Sequence, residues 1–293
     1  MKPERLNLAI GNKCFVHCQG CFQNFGDHEP RLDEIFQSIR AFIRLGIDHI
    51  TFSGGDPLTI AGFCEFLDEV KSLAVRSIKV DTVGTSLLGS PDPASVMQGL
   101  SALLARIDYL GLPLDGWSNS SIMIFRKGRP SLYDETRELL NAIILSGHER
   151  PVIINTVAHQ HNRHGFRKIL DEVSKHKCVF QWNIFQYFPS DQASDTANEY
   201  FEISDQMFAK LCSEVADSAQ KADWAGGQPR IEFTNGASRL GRYLLINSDG
   251  SAWTTSRYGR TIHLGSIFQR EEIVLTTWTE KVVELRRGIE EFK

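Results

Sequence analysis

Three cysteines, Cys14, Cys18 and Cys21, fall within eight positions in the stretch GNKCFVHCQGCFQN, with no fourth cysteine nearby. Thiolates this close together are metal ligands more readily than disulfide partners, because a large chain without a secretion signal has little use for a disulfide framework. Zinc would want a fourth Cys or His, which His17 or His28 could supply. An iron–sulfur cube held by three cysteines instead keeps its fourth iron open for another ligand. The triplet allows both. The other three cysteines read as buried structural thiols. Cys64 lies with Ile60, Phe63 and Leu67, Cys212 with Phe208, Leu211 and Val215, and Cys178 opens the apolar run CVFQWNIF.

A second chemical signal is FSGGDPL, Phe52 to Leu58. Glycines such as Gly54 and Gly55 let the backbone approach a ligand closely, and the Asp56 carboxylate can accept hydrogen bonds from an ammonium group. Standing alone, the segment reads as a strand-to-helix turn.

Short β-branched runs alternating with helical periodicity must position these loops, the pattern of a parallel α/β sheet or barrel. Strands are predicted near Arg5–Ile10, His49–Phe52, Ser77–Thr82, Tyr109–Leu112, Val152–Val157 and Val179–Phe185. Leu32, Ile35, Phe36, Ile39, Phe42 and Ile43 form one helical face stopped by Gly46, and Leu139, Leu140, Ile143 and Ile144 another, ended by Gly147. After Tyr187, FPSDQASDTANEYFEISD breaks the rhythm. A helix over about Ser204–Ala222, two short extended runs joined at Asp249-Gly250 and a last helix around Trp278–Ile289 follow. The fold class is α/β, a partial (βα)6 barrel over residues 1–187 with a C-terminal α/β extension over residues 188–293.

The net charge of −4 and the scattered Lys and Arg lack the basic footprint of a protein that grips long nucleic acid. The apolar start is too short for a secretory segment and no run is long enough to span a membrane, so the expected location is the cytoplasm.

The C-x3-C-x2-C spacing of Cys14, Cys18 and Cys21, directly after the first strand, resembles that of the radical S-adenosylmethionine enzymes, and SGGDP resembles their Gly-Gly-Glu-Pro turn. The resemblance implies a radical SAM barrel with one [4Fe-4S] cluster on the three cysteines. S-adenosylmethionine would chelate its open iron, and reduction by a donor such as flavodoxin or ferredoxin would cleave the cofactor to a 5′-deoxyadenosyl radical. LGLPLDGW with FRKGR is similar to the MoaA-like and peptide-modifying branches, and INTVAHQHN to viperin and MoaA relatives. By this likeness Gly54, Gly55, Asp56, Arg126 and Asn155 bind the cofactor, with Asp56 at its ammonium and Arg126 at its carboxylate. Gly20 stands where the family has an aromatic near the adenine, and Phe22 is the candidate to stack there instead. Pro113 stands where a hydroxyl residue often contacts the ribose. The segment YLLINSDGSAWTTSRYGRTIHLGSI resembles a SPASM or twitch extension, but Thr254 and Thr255 stand where a cysteine is expected, so no auxiliary cluster is implied.

Three functions compete. The first is a biosynthetic radical enzyme acting on a nucleotide, a nucleoside-like molecule or another specialised metabolite, with Gln186 and Tyr187 as substrate contacts and Arg126, Lys127 and Arg129 available for phosphate. The second is modification of a ribosomal peptide, although the expected barrel begins by Arg5 and leaves no separate peptide-recognition domain before it. The third is a noncatalytic iron–sulfur or zinc sensor. The histidines His159, His161 and His164 after strand five read either as a proton or substrate site or as a solvated loop. Replacing Cys18 with Ala is expected to abolish bound iron, whereas replacing Cys212 leaves it intact, as iron and sulfide analysis of anaerobically reconstituted protein will report.

Overall fold

The computed structural model describes residues 2–21, 31–149, 151–191, 193–256, 260–268 and 270–290. Its first half runs β1 (Arg5–Gly11), β2 (His17–Cys18), α1 (Leu32–Arg44), β3 (His49–Gly54), α2 (Phe63–Ser72), β4 (Ser77–Asp81), α3 (Pro93–Leu104) and β5 (Tyr109–Pro113). Then come α4 (Asn119–Ile122), β6 (Arg126–Lys127), α5 (Leu132–Leu145), β7 (Val152–Ala158), α6 (Phe166–Val173) and β8 (Val179–Gln186). The remainder is α7 (Asp195–Phe201), α8 (Asp205–Ala219), β9 (Arg230–Thr234), α9 (Gly236–Arg239), β10 (Tyr243–Ile246), β11 (Ser251–Thr255), β12 (Thr261–Ser266) and α10 (Glu271–Glu290).

The six expected strands β1, β3, β4, β5, β7 and β8 pair in that order, all parallel. The segment after Tyr187 extends the same sheet at both ends. β9 adds parallel to β8, and β10 adds parallel to β1, followed by antiparallel β11 and β12. β9 and β10 do not pair with each other, so the curved parallel set keeps an open seam between them.

Period-two alternation sorts each strand's side chains. Leu6, Leu8 and Ile10 of β1, Ile50 and Phe52 of β3, Ile78 and Val80 of β4, and Trp182 and Ile184 of β8 join the apolar core between sheet and helices. The alternate residues Arg5, Asn7, Thr51, Lys79, Asp81, Gln181 and Asn183 line the inner face. A parallel strand buried on both faces reads as one apolar run. Here the polar alternates mark a lumen.

The helices follow from the same patterning. α1 buries Ile35, Ile39 and Phe42, carries Asp33 and Glu34 in its first turn and Arg44 in its last, and stops at Gly46, whose φ of +82° costs glycine little. Cys178 is buried in the core and Cys212 packs against it. Cys64 differs from expectation: α2 buries Phe63, Phe66, Leu67 and Val70, so position 64 turns off that face and is partly exposed. α7 was not expected. Ser194 caps it by accepting from the Ala197 amide, at 3.1 Å.

The last helix begins earlier than expected, at Glu271, because Val274, Trp278 and Val282 form one buried stripe four residues apart. Trp278 also donates its indole N–H to the Tyr243 carbonyl at 3.1 Å, tying the helix to β10. Trp278→Ala is expected to cost about 3–5 kcal/mol, read as a lowered urea midpoint.

Candidate active site

The cysteine loop leaves β1 at Gly11 and is docked by backbone contacts onto the glycine turn after β3. The Gly55 amide donates to the Gly11 carbonyl at 2.8 Å, and the Asp56 amide to the Lys13 carbonyl at 2.6 Å. No side chain fits between these segments. A Cβ on Gly54, whose φ is +120°, would lie 2.8 Å from the Ala9 backbone, and one on Gly55 would lie 2.0 Å from the Lys13 carbonyl oxygen. The two glycines thus bring the turn against the chain's own loop as well as to the cavity beside it.

Asp56 is buried in the wall of that cavity. The Thr82 hydroxyl donates to its carboxylate at 2.7 Å, the Val83 amide at 2.9 Å and the Leu58 amide at 3.0 Å. Burial pushes its pKa up against the pull of these three donors. The carboxylate therefore ties the β3 turn to the end of β4, and its lone pairs are largely engaged by its own chain.

On the loop's far side, β2 and β6 form a two-residue antiparallel ribbon, with His17 opposite Lys127 and Cys18 opposite Arg126. The Arg126 guanidinium pairs with the fully buried Asp115 and donates to the Cys18 sulfur at 3.3 Å. Asp115 also accepts from the Val157 amide at 2.6 Å, and its carbonyl accepts from the Asn162 side chain at 2.9 Å. LDG after β5, RK of β6 and the end of β7 are thereby drawn together around Cys18. Burial opposes the Arg126 charge, but Asp115 and Cys18 outweigh it and hold the guanidinium above its ordinary pKa.

Cys14, Cys18 and Cys21 all line one cavity of about 1200 Å³. Burial pushes the Cys14 and Cys18 thiols up, and Arg126 pulls Cys18 back toward the thiolate. Among the described residues, no three Cys, His, Asp or Glu side chains gather around one point as a mononuclear ion requires. Three thiols spread along a loop, one of them under a cationic donor, suit the corners of an anionic cluster. His17 is exposed on the ribbon, and His28 lies outside the described residues.

The other expected residues divide. Phe22 lies outside the described residues. Gly20 abuts Tyr187: a Cβ there would meet the Tyr187 ring at 2.3 Å, so the ring from the end of β8 fills the space of the missing side chain. Tyr187 donates to Asn198 at 2.9 Å, and burial pushes its phenol up to about 12. Its neighbour Gln186 donates to the Ile203 carbonyl and to Asp205, while its Oε1, buried beside the cavity, has no hydrogen-bond partner among the described residues. Asn155 lines the cavity, donating to Asp81 at 2.8 Å and accepting from Asn183 at 3.0 Å. Pro113 lines it too.

The basic trio separates. Only Arg126 reaches the cavity, Lys127 is exposed, and Arg129 is bound to Glu135 at 2.8 Å. The histidines form no common site. His159 is enclosed by Phe125 and Phe201, and burial pushes its pKa down to about 3, leaving it neutral. His161 stacks on Tyr200, and His164 is exposed. Sequence reading missed Asp115 as the partner of Arg126, Thr82 as the partner of Asp56, and the β2–β6 ribbon. Only the first had a signal, opposite charges in LDG and FRKGR.

A cysteine loop at the C-terminal end of the first strand of an open parallel barrel, braced by a glycine turn, defines a class of cluster-bearing α/β enzymes. The chain belongs to the Radical SAM superfamily, whose profile matches residues 8–173. It is similar to the S-adenosylmethionine-dependent nucleotide dehydratase of Lacinutrix mariniflava, 24% identical over 72% of this chain and 44% of that protein. It also resembles a probable GTP 3',8-cyclase of Methanocella arvoryzae, 35% identical over 28% of this chain and 27% of the relative. The chain thus spans less than half the length of these relatives. Among solved structures, anSMEcpe with bound AdoMet and Cp18Cys peptide shares the fold, with TM-score 0.67, 16% identity and coverage of 96% of this chain and 82% of the other. Members of this superfamily use a [4Fe-4S] cluster and S-adenosylmethionine, and Cys14, Cys18 and Cys21 lie within the matched residues. Among the described residues, no helix is long and apolar enough to cross a membrane.

Asp115→Ala would strand the Arg126 charge beneath the loop, at a cost of about 3–5 kcal/mol. Urea unfolding and iron per chain should both fall, and Asp115→Asn should lose less of each.

Proposed function

We propose that the chain acts on a nucleotide or nucleoside-like substrate held in the lumen, with residues 1–187 forming the core barrel and residues 188–293 completing the chamber wall. The observation that carries this reading is continuity: the cysteines and the polar inner residues of β1, β3, β4, β7, β8 and β9 line the same cavity. A molecule rich in hydroxyls, ring nitrogens and charge matches such walls better than an apolar one, since each buried polar group needs a partner. The relatives named for nucleotide chemistry support the same class.

The cluster with S-adenosylmethionine supplies the 5′-deoxyadenosyl radical when both are bound. Cys14, Cys18 and Cys21 hold the cluster, Arg126 lends positive charge beside Cys18, and the Gly54–Gly55 turn fixes the loop. Gln186 offers its unpartnered Oε1 to a substrate N–H or O–H. Tyr187 closes the wall over Gly20, and its protonated phenol stays bound to Asn198. Asn155 and Asp56 serve as wall residues, and Phe22 as the adenine contact. A flavodoxin or ferredoxin in the cytoplasm supplies the electron.

Anaerobically reconstituted protein should carry about four iron and four sulfide and release 5′-deoxyadenosine when given reductant and S-adenosylmethionine. Adding nucleoside triphosphates one at a time should raise that release and yield a modified nucleotide by mass spectrometry. A rise with ribosomally made peptides and none with nucleotides would overturn the substrate class, and no 5′-deoxyadenosine under any condition would remove the radical reading.

A further inference from the structure

We infer that Arg239 and Tyr243, with Arg5 beside them, form a binding site for a phosphoryl group at the seam of the barrel. The inference rests on the reading of the lumen as the substrate chamber and names the part of the substrate that the far wall holds. Arg239 ends α9, the four-residue helix between β9 and β10, and its side chain faces the cavity. The guanidinium lies 5.2 Å from the ring centroid of Phe188 and 6.0 Å from that of Phe185, two apolar walls that keep it half-buried.

Its electrostatic situation sets it apart from its neighbours. Arg126 is answered by Asp115, and Arg242 by Glu232 at 2.7 Å and Glu4 at 3.1 Å. Lys79 is answered by Asp81 at 2.8 Å. Arg239 has no carboxylate and no hydrogen-bond acceptor among the described residues. Burial pushes its pKa down, the direction expected where a charge loses water and gains no anion. A guanidinium has five N–H donors in a planar fork, and leaving them unmet beside apolar rings is costly unless a ligand meets them.

Two further groups point into the same space. Tyr243 opens β10, lines the cavity, and has no hydrogen-bond acceptor for its hydroxyl among the described residues. Burial raises the pKa of that phenol, with Glu232 adding to the rise and the charges of Arg242, Arg239 and Arg5 acting against it. Arg5 is the register partner of Tyr243 on β1, and among the described residues its side chain donates only to the Thr51 hydroxyl, at a long 3.3 Å. Two guanidinium forks and a phenolic O–H offer more donors and more charge than one carboxylate uses, and they suit the three oxygens of a terminal phosphoryl group. The cysteines lie beyond the opposite end of β1, so a substrate anchored here extends along the lumen toward the cluster loop.

The test is calorimetric titration of the reconstituted protein with inorganic pyrophosphate, in low salt, for the parent, Arg239→Gln, Arg239→Lys and Tyr243→Phe. The parent should bind, Arg239→Gln should weaken binding about tenfold or more, and Arg239→Lys and Tyr243→Phe should lie between. Because Arg239→Gln removes an uncompensated charge, its melting temperature in plain buffer should not fall, and its S-adenosylmethionine affinity should be unchanged. No pyrophosphate binding by the parent, equal binding by Arg239→Gln, or binding of malonate in place of pyrophosphate would overturn the proposal. Arg239-dependent pyrophosphate binding in protein that releases no 5′-deoxyadenosine would uphold this site while removing the radical reading. Release of 5′-deoxyadenosine without pyrophosphate binding would do the reverse.

Discussion

A curved parallel sheet with polar side chains on its inner face must satisfy those groups or lose them to water, and the chain does so with one connected network. Lys79 pairs with Asp81, which accepts from Asn155, which accepts from Asn183. Gln181 donates to both Asn183 and Glu232, and Glu232 pairs with Arg242 across the seam, where Arg242 also holds Glu4. Lys79–Asp81 lies within β4 and Gln181–Asn183 within β8, while the other links cross between β4, β7, β8 and β9 and on to the seam, so the network sets strand against strand around the lumen. Buried polar groups satisfied in this way favour one arrangement of the wall, because any slip strands several of them at once. Against that arrangement, the unmet Gln186 Oε1 and Arg239 stand out.

The cysteine loop is seated on this wall by one small apolar cluster, in which Val16 is buried with Val83, Ile122 and Leu132, and by its backbone. It hangs between two backbone docks at Gly11 and Lys13 and the ribbon at Cys18, each on a different supporting strand or turn. Asp56 and Asp115 brace the two sides from behind, one toward β4 and the other toward β7. These carboxylates act mainly through other groups, giving the thiols a fixed frame before any iron arrives.

The six barrel strands were legible because their outward-facing residues are apolar and β-branched, and helix α1 because its face repeats at helical spacing. The lumen was equally present in the alternation of Arg5, Asn7, Lys79, Asp81 and Asn183, yet a reading tuned to apolar runs treats those residues as interruptions. The cysteine loop and the glycine turn could be read from local spacing. What they touch could not. The ribbon joining Cys18 to Arg126, the Thr82 bond to Asp56 and the Tyr187 ring over Gly20 all bring together residues distant in sequence, and no local pattern encodes such meetings. The strands β10 and β11 were visible as short extended runs, but the place of β10 beside β1 depends on competition among all the strands.

The pairing of β10 with β1 bears on how the protein is made. β1 precedes the other described strands, and its outer neighbour is made after almost all of the barrel, with Glu4 meeting Arg242 across 238 positions. Throughout translation the strand leading into the cysteine loop therefore has one uncovered edge, with unpaired amides and carbonyls open to any passing strand. Contacts of such long sequence separation form slowly. The nascent chain thus has a prolonged interval in which its thiols are present but their frame is unfinished.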